Sequence, residues 1–283
     1  MKRILLPTDF SLNSFNAISY ALQLFKDEEI IFYLLNTYTP ILYDNDYILY
    51  NATQPSLEEI YKTNSVKGLA KMIKKVKQRF PNAKHRFEQI SAFNMLNDEM
   101  QKQVRDKNID LIVMGTQGAT GADEILFGTH TVHALQKAIC PLLAIPSEYE
   151  YEPPKNILFP TDYEIDYRED QLSMIREVAK ISNSKLHILN IITGRALDED
   201  QERMKKVLAE KLKTVAHQFY SIEKRNVPQG ISDFQNDHPV QMLAMINNKH
   251  SFFENLLFRP VINKIGFHVK VPFLVIPSGK YNP

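Results

Sequence analysis

The sequence predicts an α/β protein with parallel sheet and helices on both faces, built twice along the chain. Three observations carry this. Short apolar runs alternate with amphipathic segments at the spacing of βαβ units. The second half repeats motifs of the first. A glycine-rich stretch follows an apolar run that reads as a buried parallel strand, Leu111-Ile-Val-Met114.

Lys2-Arg-Ile-Leu-Leu-Pro-Thr-Asp9 reads as a first strand that ends in Pro7, Thr8 and Asp9. Phe15, Ile18, Ala21, Leu22 and Phe25 then recur at helical spacing. Ile30 to Asn36 is a second apolar run. Residues 38–55 carry Tyr38, Tyr43, Tyr47 and Tyr50 and read as a long loop. Ser56-Leu-Glu-Glu59 is a capping-box signal for a helix that runs to about Phe80 and stops at Pro81-Asn82. Its lysines read as a solvated face, since Glu58 and Glu59 dilute them and no aromatic residues alternate with them. His85 to Ile90 alternates as a strand does, and Asn94 can cap a helix to about Arg105. Asp110 to Met114 and Leu142 to Ile145 supply two more strands.

Asn156-Ile-Leu-Phe-Pro-Thr-Asp162 then copies the opening of the chain, and Leu186-His-Ile-Leu-Asn190 copies Phe32 to Asn36. Val271-Pro-Phe-Leu-Val-Ile-Pro277 copies Cys140 to Pro146. The charged, proline-rich segment Ser147 to Pro154 marks the boundary, giving expected domains at 1–147 and 154–283. The second half lacks the tyrosine-rich loop, and its third helix, about Pro228 to Asn236, is brief.

Of nine glycines in the chain, four fall within fourteen residues, at Gly115, Gly118, Gly121 and Gly128. A loop without Cβ atoms can turn with positive φ and bring N–H groups to a ligand, and phosphate suits such a place at a helix start. A glycine-rich turn with no ligand is the competing reading. Aligning the repeats through their last strands sets Gly115 opposite Ile246, Gly118 opposite Lys249, Gly128 opposite Arg259 and Thr129 opposite Pro260. Phe252 and Phe253 stand where the first half has small loop residues, so the second pocket reads as filled. Asp9 and Asp162, each after a strand, can equally cap a helix or close an Asx turn.

Composition narrows the classes. The chain is 44% hydrophobic and 24% charged with net charge +1, an ordinary globular profile without bulk attraction to nucleic acid or membrane. No run approaches the ~18 apolar residues of a membrane span. One cysteine, Cys140, excludes an intramolecular disulfide and fits a reducing cytoplasm. The histidines show no metal-ligand spacing, so no metal site of protein ligands is expected. No Gly-Lys-Ser or Gly-Lys-Thr follows the glycines, and no carboxylate pair is placed for in-line attack, so no catalytic residue is assigned.

Gly115-x2-Gly118-x9-Gly128-Thr129, with Pro7-Thr8-Asp9 at the end of the first strand, resembles the nucleotide-binding pattern of the universal stress protein family, and the repeat makes the chain similar to a tandem member. The resemblance implies five-stranded parallel sheets of order 3-2-1-4-5 and ATP as ligand, with AMP or ADP as alternatives and a divalent ion such as Mg on the phosphates. It places adenine and ribose near Pro7, Thr8, Asp9 and Thr37. It places phosphates over Gly115, Gly118 and Gly128, held also by Thr129, His130 and Thr131, and Met114 is counted among the binding residues. It also implies an intrachain pseudo-dimer through the two fifth strands, with a homodimer and a protein partner as further possibilities. The function that follows is a nucleotide-dependent stress-response regulator with a competent first half. The alternatives are a slow ATPase or phosphotransferase using Asp9, and a scaffold without nucleotide.

Overall fold

The structure is a computed structural model and describes residues 1–39, 57–116, 128–247 and 270–279. The first half alternates β1 (Lys2–Pro7), α1 (Leu12–Leu24), β2 (Ile30–Tyr38), α2 (Leu57–Arg79), β3 (His85–Phe93), α3 (Leu96–Lys107), β4 (Leu111–Gly115), α4 (Thr129–Gln136) and β5 (Leu142–Ile145). The second continues with β6 (Asn156–Pro160), α5 (Glu169–Ser182), β7 (Lys185–Ile192), α6 (Glu199–Leu212), β8 (His217–Glu223), α7 (Val227–Asp237), β9 (Met242–Asn247) and β10 (Phe273–Pro277). Ser56 lies outside the described residues, but α2 follows it directly.

All ten strands form one sheet in the order β3-β2-β1-β4-β5-β10-β9-β6-β7-β8. Each half therefore has the order 3-2-1-4-5, and neighbours within a half run parallel. The halves meet where β5 and β10 pair antiparallel, Leu143 opposite Leu274.

Period-two alternation explains the layers. In β1, Ile4 and Leu6 enter one apolar cluster with Phe15, Leu69 and Val76 of α1 and α2, while Leu5 enters the other with Met100, Val104 and Leu135 of α3 and α4. The second half repeats this, with Ile175 and Leu208 on one face and Ile231 and Phe234 on the other. These side chains are nearly inaccessible, and burying each contributes about 1.5–3 kcal/mol.

Helix ends follow local chemistry. The Ser11 side chain caps α1 by accepting from the Ser14 N–H. Asn94 does not cap α3 as expected: Met95 holds the N-cap position without a side-chain bond. Asn94 instead accepts from Met95 N through Oδ1 and donates to buried Glu99 at 2.8 Å. The linker is pinned to the first half. Asn16 Nδ2 donates to the Tyr149 carbonyl at 3.1 Å, and the Tyr149 and Tyr151 rings pack on buried Tyr20.

Candidate functional site

The carboxyl ends of β1 and β4 diverge to opposite neighbours, which opens a crevice at the switch point of the first half. A cavity of about 430 Å³ lies there. Pro7, Thr8 and Asp9 line it from β1, Thr37 from β2, Met114 and Gly115 from β4, and Gly128, His130 and Thr131 from the start of α4. Nine of the eleven residues that the sequence singled out thus face one hollow. Gly118 lies outside the described residues, and Thr129 is the first residue of α4.

The turn after β1 is specific. Asp9 Oδ1 accepts the Ser11 N–H at 3.0 Å, and Thr8 Oγ1 accepts the Phe10 N–H at 3.0 Å and bonds Ser14 Oγ at 2.9 Å. Phe10 is held at φ 66°, a left-handed conformation rare for an aromatic residue. Burial by itself would raise the Asp9 carboxyl, but hydrogen bonds from the Ser11 side chain and N–H, with Ser14, hold it below the ordinary value. Asp9 is exposed at the cavity mouth, and its carboxylate, held below the ordinary value, is charged at neutral pH. The Asx-turn reading and the ligand reading of Asp9 are therefore compatible.

Of the four clustered glycines, Gly118 and Gly121 lie outside the described residues. Gly194 is the only glycine with positive φ among the described residues, and Gly128 sits at φ −58°, open to any residue. Gly115 and Gly128 both line the hollow. The Gly128 N–H already donates to the Thr116 carbonyl at 2.7 Å, and Thr131 Oγ1 donates to the Gly115 carbonyl at 3.0 Å. These two bonds tie the start of α4 to the end of β4. The side opposite carries Thr39, Asn94, Met95 and Leu96. With Ser14 and Asn36, these residues escaped the sequence reading. The Asn36 and Asn190 repeat was visible, and its meaning is structural: Asn36 Nδ2 donates to the Thr8 carbonyl at 2.7 Å, Asn190 Nδ2 to the Thr161 carbonyl at 3.0 Å.

The second half builds the same turn, and among the described residues large side chains pack around it. Glu164 N–H donates to Asp162 Oδ1 at 3.0 Å, and Tyr163 is left-handed at φ 61°. Tyr167 and Tyr163 are each 1% exposed, and the Tyr167 hydroxyl bonds Thr161 Oγ1 at 2.6 Å. Sheet register sets Gly115, paired with Ile145, against Ile246, paired with Ile276. Ile246 is 6% exposed. The positions expected to fill the remainder (Lys249, Phe252, Phe253, Arg259 and Pro260) lie outside the described residues. A larger hollow of about 620 Å³ lies farther along the sheet, lined by Ile192, Gly194, Ala196, Glu223, Lys224, Arg225 and Gln229. It includes neither Thr161 nor Asp162, and its Lys224 is already paired with Asp233 at 2.6 Å.

Other candidate chemistry is absent among the described residues. No group of three or more His, Cys, Asp or Glu side chains could hold a metal ion. Burial pushes the Cys140 thiol far up, as for a small core residue. No helix is long and apolar enough to cross a membrane.

Sheet order and cavity position define a doubly wound α/β protein with a crevice at its switch point. The model of the universal stress protein family matches residues 1–146, and the chain belongs to that family. The universal stress protein MJ0577 of Methanocaldococcus jannaschii is 25% identical over 152 residues, covering 51% of this chain and 94% of its own. The universal stress protein MJ0531 of the same organism is 27% identical over 146 residues, covering 51% of this chain and 81% of its own. A universal stress protein from Archaeoglobus fulgidus, solved by crystallography, aligns over 98% of both chains with a TM-score of 0.70 at 18% identity. That likeness carries the fold across both halves.

Proposed function

We propose that this universal stress protein is a nucleotide-dependent regulator that binds an adenine nucleotide in its first half only. The carrying observation is the hollow of about 430 Å³ at the switch point, which pairs a charged Asp9 on one side with side-chain-free Gly115 and Gly128 and the start of α4 on the other. Asp9 would accept the ribose hydroxyls, with Pro7, Thr8 and the Thr37 backbone beside the base. The phosphates would lie toward Gly115, Gly118, Gly128 and residues Thr129, His130 and Thr131, where the helix dipole favours negative charge. ATP fits this division, ADP and AMP fit less of it, and any Mg would be held through the phosphates.

The second half is read as degenerate. Ile246 stands in the register position of Gly115, and the turn around Asp162 is packed with Tyr163 and Tyr167. On this reading the chain comprises a nucleotide-binding domain at 1–147 and a degenerate one at 154–283, joined as a pseudo-dimer through β5 and β10, and it acts in the cytoplasm. Calorimetric titration of the purified chain with ATP tests the proposal. One site per chain, lost in Gly128→Arg, is the expected result; no heat at millimolar ATP refutes it. Assaying the same mixture for ADP separates binding from hydrolysis.

A further inference from the structure

Helices α2 and α6 occupy equivalent places in the two halves, but α2 is strongly basic while α6 is neutral overall and gathers its acidic residues at its start. From Leu57 to Arg79, α2 has seven basic residues against two acidic ones, a net of +5. The core face is Ser65, Leu69, Met72 and Val76. Lys67, Lys71 and Lys74 recur at i, i+4, i+7 on the opposite, exposed side, spanning roughly 10 Å at ~1.5 Å per residue. None of these three, nor Lys75 or Lys77, has a carboxylate within ion-pair distance among the described residues.

The second half gathers the complementary charge. Asp162, Glu164 and Asp166 lie in the turn after β6, and the start of α6 from Asp198 to Glu202 adds four carboxylates. Arg203, Lys205 and Lys206 reduce the net to −4. The two segments are in contact, since Gln201 Nε2 donates to the Asp162 carbonyl at 2.8 Å. Burial chiefly, and then the neighbouring Asp162 and Asp198 carboxylates, push the Glu164 carboxyl up. A helix start favours some acidic residues, but that accounts only for those on α6, not for the turn.

We propose that the lysine face of α2 docks on the acidic turn and α6 start of a second copy of this chain. The two patches cannot meet within one chain: five strands separate β2 from β6 in the sheet, roughly 29 Å at ~4.8 Å per spacing. The net charge of +1 thus hides a basic and an acidic surface, the latter partly offset by the Asp200–Arg203 and Glu202–Lys205 pairs. A nucleic acid is the poorer occupant. Residues 67–77 contain no aromatic side chain to stack on a base and no Arg to fork a phosphate.

Sedimentation velocity of the full chain tests this. Self-association at about 0.05 M NaCl should weaken on the order of ten-fold or more by about 0.5 M, because exposed charge pairs are screened. Lys71→Glu/Lys74→Glu alters only exposed side chains and should be monomeric at low salt, as should Asp166→Lys/Glu199→Lys. Mixing the two variants should restore association as a one-to-one complex, which simple misfolding of either cannot do. A chain that stays monomeric at every salt, or associates equally well with both variants, overturns the proposal. So does a wild-type monomer whose lysine face retains duplex DNA or anionic vesicles.

Discussion

The turn after β1 and the turn after β6 are one device built twice and put to different ends. Both run Thr-Asp-aromatic, both set the aromatic at left-handed φ (66° at Phe10, 61° at Tyr163), and both are braced by an Asn from the next strand. They part at the residue that satisfies the Thr hydroxyl. Thr8 uses Ser14, a small side chain on the cavity wall, while Thr161 uses Tyr167, a large buried one. The second turn is four residues longer before its helix begins, and that extra chain brings Tyr167 in. Among the described residues, the side chain packed beside the Asp, rather than the Asp itself, separates the two turns.

If space is the distinction, filling it in the first half should have the largest effect. Gly128→Arg copies the residue aligned with it in the second half and should weaken ATP binding by about 100-fold or more, or ~2.7 kcal/mol. Gly128→Ala should lose only a few-fold, because φ −58° suits alanine. Calorimetry on the pair checks the comparison, and equal losses would show that backbone freedom mattered after all.

Next comes the Asp itself. Asp9→Asn should cost roughly ten-fold in ATP affinity through weaker acceptance of ribose hydroxyls, while Asp162→Asn should leave it unchanged. The same change has a pH signature. Hydrogen bonds depress the folded-state pKa of Asp9, so its contribution to stability is present above the unfolded carboxylate value of ~3.9 and is lost as pH falls through the folded value. Acid unfolding of Asp9→Asn, followed by circular dichroism, should therefore show a shallower loss of stability below about pH 4 than the wild type.

A smaller effect separates the two hydroxyl partners. Tyr167→Phe removes a buried bond of 2.6 Å and should destabilise by about 1 kcal/mol without touching ATP binding. Thr161 Oγ1 keeps the Tyr163 N–H as a partner, which limits the loss. Ser14→Ala should cost no more in stability, since water in the hollow can replace the hydroxyl, but should shift ATP affinity because Ser14 lines the site. Denaturant titration and calorimetry on both variants measure the two effects separately.

Much of this was legible in the residues. Alternating layers and the repeat follow from apolar periodicity, the strand order was implied by the resemblance to the universal stress protein family, and the register that opposes Gly115 to Ile246 emerges equally from motif alignment and from sheet pairing. The site was legible where it is local to a motif: Pro7, Thr8, Asp9 and the end of β4. Asn94, Met95 and Leu96 were not, because they reach the hollow through the packing of β3 and α3 and carry no motif. The role of the glycines was only half legible. Their number announced a close approach, but whether φ or bulk was the constraint depends on dihedral angles that spacing does not encode. Tyr167 was hidden for a further reason: nothing in the sequence says that an inserted turn folds inward.

The finest test concerns Gly68, in the middle of α2, where glycine costs roughly 1 kcal/mol relative to alanine. A Cβ there would lie 2.5 Å from the Phe10 ring, so the glycine exists to let that ring lie against the helix. Tyr163 has no such helix glycine beneath it; its ring lies beside Phe219 at 6.5 Å. In Gly68→Ala the gain in helix propensity opposes the displacement of Phe10, whose ring is 38% exposed and can swing outward. Stability should change by less than about 1 kcal/mol in either direction. The turn cannot swing unnoticed, however, because Phe10 directly follows Asp9 and its N–H is held by Thr8. ATP affinity should fall a few-fold while the unfolding midpoint barely moves. If affinity and midpoint fall together, Phe10 is part of the core and not a strut under Asp9.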